Sequence, residues 1–170
     1  MRIFLIGFMG SGKSSLGEEL AHKLSLAFFD LDQMIEEEEG RKISEIFETD
    51  GEEKFREKEH VCLNKTFELS NVVVSTGGGT PCFFNNMEMI NEKGISIYIK
   101  LNPGMLASRL CADKKKRPLI KHCKDKNELE LFVKNLLEKR DKYYLQSKII
   151  LEGKNINAKK IIEALSGSIV

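Results

Sequence analysis

Short apolar runs alternate with amphipathic stretches along the chain. Arg2-Ile3-Phe4-Leu5-Ile6 reads as a buried strand, and Leu16, Leu20 and Leu24 then recur every four residues, one face of a helix. Ala27-Phe28-Phe29 is a short second strand, followed by a helix through Met34 and Ile35. Its acidic end, Glu36 to Glu39, reads as solvated and is stopped by Gly40. Residues 43–50 predict a short helix, Asp50-Gly51 a turn, and Glu52 to Leu69 a longer helix. Val72-Val73-Val74 is β-branched and uniformly apolar, the pattern of a central parallel strand. A helix over 84–92 closes at Gly94, and Ile95–Ile99 is the fourth strand. Asn102-Pro103 opens a helix through Leu106 and Leu110. From Asn127 to Tyr144 one apolar face keeps the 3.6-residue period, Ile149-Ile150-Leu151 is a last strand, and Ala158 to Leu165 is a closing helix. Strands alternating with helices predict a parallel α/β sheet in one domain spanning residues 1–170.

The first strand and first helix are joined by Gly7-Phe8-Met9-Gly10-Ser11-Gly12-Lys13-Ser14, which fits G-x-x-x-x-G-K-[ST]. Strand, glycine loop and helix are the context this phosphate-binding loop requires. Glycines let backbone N–H groups converge, and the helix N-terminus adds partial positive charge. Lys13 can reach β- and γ-phosphates, and the Ser14 hydroxyl can ligate Mg²⁺. Gly10, Ser11, Gly12, Lys13, Ser14 and Ser15 are therefore the candidate nucleotide-binding residues.

Other chemistry clusters where strands end. Asp30 and Asp32 follow the second strand, on the rim where parallel sheets bind ligands. One Asp can cap the next helix, while two at i and i+2 beside a phosphate loop favour a functional member. In a strand-like segment both would point the same way. Arg56, Glu59 and Leu63 share one helical stripe, and Glu52 lies four residues before Arg56, so spacing favours an ion pair over a ligand contact there. Gly77-Gly78-Gly79 ends the third strand as either a flexible turn or a place where a ligand meets backbone. The cationic, aperiodic segment of about 112–124, with Arg117-Pro118, reads as an exposed loop or phosphate-clamping lid ahead of a nucleic-acid patch. Arg140 falls on an apolar stripe and needs an anion, from a ligand or a core acid.

Composition narrows the class. The 170 residues are 41% hydrophobic and 31% charged with a formal net charge of +1, which gives no general reason for a nucleic-acid or membrane partner. No apolar run approaches a membrane span, and the N-terminal run reads as a core strand rather than a signal peptide. Cys62, Cys82, Cys111 and Cys123 form no C-x-x-C pair, so reduced cytoplasmic thiols are expected. Asn64-Lys65-Thr66-Phe67 lacks the acid of a guanine-reading Asn-Lys-x-Asp motif, and the Val72–Val74 strand ends without an acid. The length excludes a motor or transporter ATPase, which leaves a small kinase with a lid.

In these motifs the chain resembles the shikimate kinases, over nearly its whole length. Gly10-Ser11-Gly12-Lys13-Ser14 is similar to their phosphate loop, and Phe29-Asp30-Leu31-Asp32 to their D-x-D, whose second Asp meets the substrate. Ile46-Phe47 through Gly51-Glu52-x-x-Phe55-Arg56-x-x-Glu59 is similar to the signature whose Arg holds the substrate carboxylate. Gly77-Gly78-Gly79 matches their glycine triplet, Arg117-Pro118-Leu119 their lid, and Arg140 with Tyr144 their second carboxylate-binding Arg. The resemblance implies a three-layer sandwich of the nucleoside monophosphate kinase type: a five-stranded parallel sheet of order 2-3-1-4-5, helices on both faces, and a lid. It implies ATP and Mg²⁺ with shikimate as acceptor. Lys13, Asp32 and Arg117 would be catalytic, Ser14 and Asp30 would meet the metal, and Asp32, Arg56, the triplet and Arg140 would bind substrate within a segment of about 31–69 and beyond. The family often has an Arg in the loop after the last strand, near adenine, whereas Glu152-Gly153-Lys154-Asn155 has none; Arg109 is the candidate adenine contact. A monomer is expected. A kinase for another hydroxylated acid such as gluconate, or a nucleotide-binding regulator without turnover, is the alternative.

Overall fold

Period-two alternation along the strands divides the core into two layers. In β1 (Arg2–Ile6), Phe4 and Ile6 face one side of the sheet, and Ile3 and Leu5 the other. β3 (Val72–Ser75) repeats the split, with Val72 and Val74 on the first face and Val73 on the second. All these side chains are buried, each contributing about 1.5–3 kcal/mol by leaving water. A sheet apolar on both faces must be covered on both, which only helical crossovers between parallel strands achieve. The computed structural model describes residues 1–113, 118–120 and 122–167.

The sheet is β2-β3-β1-β4-β5, with β2 at Ala27–Asp30, β4 at Ile95–Lys100 and β5 at Ile149–Glu152. Every pairing is parallel. On one face, α1 (Lys13–Leu24) and α8 (Ala158–Gly167) bury Leu20, Ala21, Ile161 and Leu165. The opposite face carries α2 (Leu31–Glu39), α3 (Ile43–Thr49), α4 (Gly51–Thr66), α5 (Asn86–Lys93), α6 (Pro103–Asp113) and α7 (Lys126–Tyr144). Several boundaries follow from caps. Gly40 closes α2 with φ 64°, Asn102 Oδ1 accepts from Met105 N at 2.9 Å, and Asp125 Oδ1 accepts from Glu128 N at 2.8 Å.

Two sequence expectations change, and a third lies partly outside the described residues. α4 stops at Thr66, because Phe67, Glu68 and Leu69 donate their N–H groups three residues back and tighten the chain into a turn. The acidic end of α2 is not simply solvated: Glu39 pairs with Lys58 at 2.7 Å and Glu38 with Lys65 at 2.7 Å, which ties α2 to α4. Arg117 and part of the expected lid lie outside the described residues. Within that same segment Ile120 and Cys123 are buried against the first core layer, so its far end is anchored.

Arg41 joins the end of α2 to the α3–α4 junction. Its Nη2 lies 2.8 Å from Asp50 Oδ2 and 3.1 Å from Glu39 Oε2. Hydrogen bonds from Arg41, then from Thr49, pull the Asp50 carboxyl from 3.8 down to about 2. A depressed carboxyl stabilises the fold above its unfolded pKa and loses that contribution as pH falls through the folded value. Asp50→Asn should therefore lower Tm at pH 7. The difference from the parent should shrink as pH falls from 3.8 toward about 2, measured by thermal melts at pH steps across that window.

Candidate active site

The loop after β1 curls because Gly10 and Gly12 take φ 77° and 92°, a left-handed conformation costly for residues with a Cβ. Gly12 caps α1 and has no side chain of its own to satisfy the first N–H groups of the helix. Lys13 is buried, and its Nζ donates to the Gly7 carbonyl at 2.9 Å and the Phe8 carbonyl at 3.0 Å. The ammonium is thus held at the centre of the loop, where anionic oxygens would be bound. Ser14 Oγ donates to Asp30 Oδ2 at 2.5 Å and lies 3.5 Å from Ser75 Oγ. Two hard oxygens at the loop's edge are the donor type Mg²⁺ prefers. Among the described residues no three of His, Cys, Asp and Glu gather as a metal site. A magnesium ion completed by phosphate oxygens does not need one.

Asp30 and Asp32 do not point the same way. Asp30 ends β2 in an extended conformation, and its Oδ1 accepts from Asp32 N at 3.0 Å and Gln33 N at 3.4 Å. It is therefore both the cap of α2 and the partner of Ser14. Asp32 is already in the first helical turn, so its side chain turns away from the strand line and lines the neighbouring cleft. The strand-like geometry expected for the pair fails because the helix begins one residue after Asp30.

That cleft, about 620 Å³, is lined by Asp32, Arg56, Glu59, the Gly77–Gly79 triplet and Arg140 among others. Arg56 is 5% exposed. Its Nη1 donates to Glu59 Oε2 at 2.8 Å, and Nε and Nη2 donate to Glu52 Oε1 at 3.3 and 3.0 Å. Burial works against the charge, but Glu59 and Glu52 outweigh it and hold the guanidinium above its ordinary pKa. Phe83, Phe55 and Phe47 surround the guanidinium, with ring centres 4.5, 5.0 and 5.9 Å from Cζ. The ion pair that the spacing favoured is present, and it holds the arginine at the cleft wall.

Arg140 is equally buried, with Cζ 5.5 Å from the Phe8 ring. Among the described residues no acid forms an ion pair with it, so the core-acid alternative is not realised there. The Tyr144 hydroxyl contacts Arg140 and donates to the Gly78 carbonyl. Burial pushes the phenol above its usual range, so it keeps its proton.

The glycine triplet makes room for these charges. A Cβ on Gly77 would stand 2.4 Å from Glu59 Oε1 and 3.0 Å from Asp32 Oδ1. On Gly78 it would stand 2.9 Å from the Met9 nitrogen, and on Gly79 2.5 Å from the Arg56 guanidinium. A smaller cleft of about 230 Å³ lies on the other side of the phosphate loop, between Ser11, Gly12, Ser15, Arg109 and Lys154. Arg109 Nη1 donates to the Ser11 carbonyl at 3.0 Å, which puts this arginine against the loop.

The aromatic surround of Arg56 was missed in the sequence, as were Glu36, Lys42 and Ser44 on the opposite cleft wall. The Gly40 turn folds α3 back on α2, and Glu36 accepts from Ile43 N at 3.0 Å and from Lys42 Nζ at 2.7 Å. An acidic run gives no local sign of that return. Cys62 and Cys82 are pushed up to about 12 and about 11 by burial, so neither is a ready thiolate.

Gly79→Ala should fold but force Arg56 off Glu59. The expected loss is about 1–3 kcal/mol of unfolding free energy, the usual cost of overpacking, read by urea titration with an unchanged m-value. Parental stability would mean that the guanidinium moves freely.

The family model described as shikimate kinase matches residues 9–169. A shikimate kinase of Azobacteroides pseudotrichonymphae is 46% identical over 165 residues, 96% of each chain. The crystal structure of shikimate kinase from Bacteroides thetaiotaomicron superposes with TM-score 0.89 at 38% identity, covering 99% of this chain and 98% of that one. The enzyme from Acinetobacter baumannii, solved in complex with shikimate, superposes with TM-score 0.87 at 32% identity, covering 99% and 92%. With a matching family model over nearly all its length, and with the phosphate loop, Asp32, both arginines and the glycine triplet gathered around one cleft, the chain belongs to the shikimate kinase family.

Proposed function

We propose that the protein transfers the γ-phosphoryl group of ATP to the 3-hydroxyl of shikimate, giving 3-phosphoshikimate and ADP on the route to chorismate and the aromatic amino acids. The observation that carries this reading is one cleft, beside the phosphate loop, that joins two buried arginines to an aspartate. A small acid bearing a hydroxyl fits that set: Arg56 and Arg140 offer forks for the carboxylate, and Asp32 faces the hydroxyl. Gly77, Gly78 and Gly79 line the same pocket.

In the reaction an acceptor oxygen forms a bond to the γ-phosphorus while the bond to the β,γ-bridging oxygen breaks. Such a transition state is loose and needs alignment and charge neutralisation more than covalent chemistry. Lys13 neutralises β- and γ-phosphate charge, and the backbone of Gly10 to Ser15 cradles the chain. Asp32 orients the attacking hydroxyl and accepts its proton. Ser14 and Asp30 would hold Mg²⁺, which supplies charge neutralisation and orients the phosphates when bound. Arg117 is assigned to the phosphates within a lid of about 112–124, and Arg109 with Lys154 to the nucleoside end. The substrate-binding segment is about 31–69. The four free thiols suit a reducing cytoplasm, no helix among the described residues is long and apolar enough to cross a membrane, and the near-zero net charge gives nucleic acid no general attraction. A monomer completes the reading.

The test is ADP release, by coupled assay, with shikimate, gluconate and related hydroxy acids as acceptors. Turnover with shikimate alone is expected. Preference for gluconate would reassign the acceptor, and ATP binding without ADP release for any acceptor would make the protein a regulator.

Asp32→Asn keeps size and hydrogen bonding but cannot take a proton. Turnover should fall at least about 10²-fold, the low end for general-base help, while MgATP binding survives. Asp30→Asn should instead raise the Mg²⁺ requirement. Mg²⁺ titrations and acceptor KM for both variants separate the two, and exchanged phenotypes would reverse the assignments.

A further inference from the structure

Behind Arg56 lies a buried polar bracket that the reaction does not directly use. Glu59 is 1% exposed, and its two oxygens serve different elements. Oε2 accepts from Arg56 at 2.8 Å, and Oε1 accepts from the Thr80 hydroxyl at 2.6 Å. Thr80 follows the glycine triplet and is fully buried. Its carbonyl accepts from Asn86 Nδ2 at 2.8 Å, and Asn86, also fully buried, has its Oδ1 2.5 Å from His60 Nδ1. Because the Asn86 amide nitrogen faces the Thr80 carbonyl, its oxygen faces the imidazole, so His60 Nδ1 carries the hydrogen. Glu59 and His60 are consecutive on α4. One grips the side chain of Thr80 and the other, through Asn86, its backbone. The ring closes on itself and pins the turn after the triplet to α4.

We propose that Thr80 is a positioning residue for acceptor binding, held in place by Asn86 and His60. The proposal rests on Arg56 being a carboxylate clamp, as argued above. A guanidinium has five N–H donors. Arg56 commits Nε and one hydrogen of Nη2 to Glu52, and one hydrogen of Nη1 to Glu59. One hydrogen remains on each terminal nitrogen, and this pair is what Arg56 has left to offer a carboxylate. The Thr80 hydroxyl holds Glu59 Oε1 away from that pair. Without it the Oε1 lone pairs lose their buried donor, and the cheapest replacement is the Arg56 guanidinium itself. Glu59 would then turn both oxygens onto Arg56 and occupy the place of the acceptor. Thr80 acts through Glu59 and touches no reacting atom.

The test compares Thr80→Val, which keeps the shape and removes the hydroxyl, with Thr80→Ser, which keeps the hydroxyl. Thr80→Val should raise KM for shikimate about 13-fold or more, the low side of what a charged hydrogen bond contributes. Its kcat and its KM for ATP should stay within about twofold of the parent. Thr80→Ser should restore the KM for shikimate. If Thr80→Val does not fold, Thr80→Cys, with its weaker donor, should show the same selective rise at smaller size. An unchanged KM for shikimate in a folded variant overturns the proposal. So does a lowered Tm with both KM values shifting together, or a Ser variant that fails to rescue. A parent enzyme that does not turn over shikimate overturns the functional reading instead, before any variant is measured.

Discussion

Parallel pairing is the constraint from which the rest of the site follows. In register, Leu5 of β1 lies beside Ser75 of β3, and Ser75 beside Asp30 of β2. Three strands therefore release their chains at one level of the same rim. The phosphate loop, the glycine triplet and Asp30 are what each strand delivers there. The 2.5 Å bond from Ser14 to Asp30 spans that level. An antiparallel β2 would send the same aspartate to the other end of the sheet. The apolar faces that force helical crossovers thus also decide which polar groups meet.

Crowding then decides how close those groups come. Gly77, Gly78 and Gly79 leave no Cβ against Glu59, the Met9 backbone and Arg56 in turn. None of the three has a positive φ, so their role is space rather than conformational freedom. Glycine here lets protein charges, as much as a ligand, approach the main chain. The aromatic rings around Arg56 complete this: with Glu59 they keep a buried cation fixed where a flexible surface arginine would need ordering on each binding event.

Much of this was legible in the chain. The G-x-x-x-x-G-K-S loop after an apolar strand, the alternation of strands and helices, and Arg140 on an apolar stripe each carry a local signature. Arg56 with Glu52 and Glu59 was readable as an ion pair from helical spacing. What escaped depends on non-local approach. Phe83 reaches Arg56 from beyond β3, Glu36 returns to the cleft only because Gly40 reverses the chain, and Ile120 is buried in a stretch whose neighbours are cationic. The direction of Asp32 turned on a single residue, since the helix starts at Leu31 and no extended segment remains to align the two aspartates.

The cleft has two walls of unequal freedom to change. On the triplet wall a Cβ would crowd Glu59, the Met9 backbone or Arg56, so each substitution there displaces a group already in place. On the opposite wall, Glu36 and Ser44 sit on short helices and Lys42 on the turn between them, held partly by solvent-accessible ion pairs such as Lys42–Glu36, which contribute little each. A lineage drifting toward a differently shaped acceptor would rebuild that second wall and leave the first untouched. Divergence in selectivity among related sequences should concentrate between α2 and α3, even though the phosphate chemistry resides elsewhere.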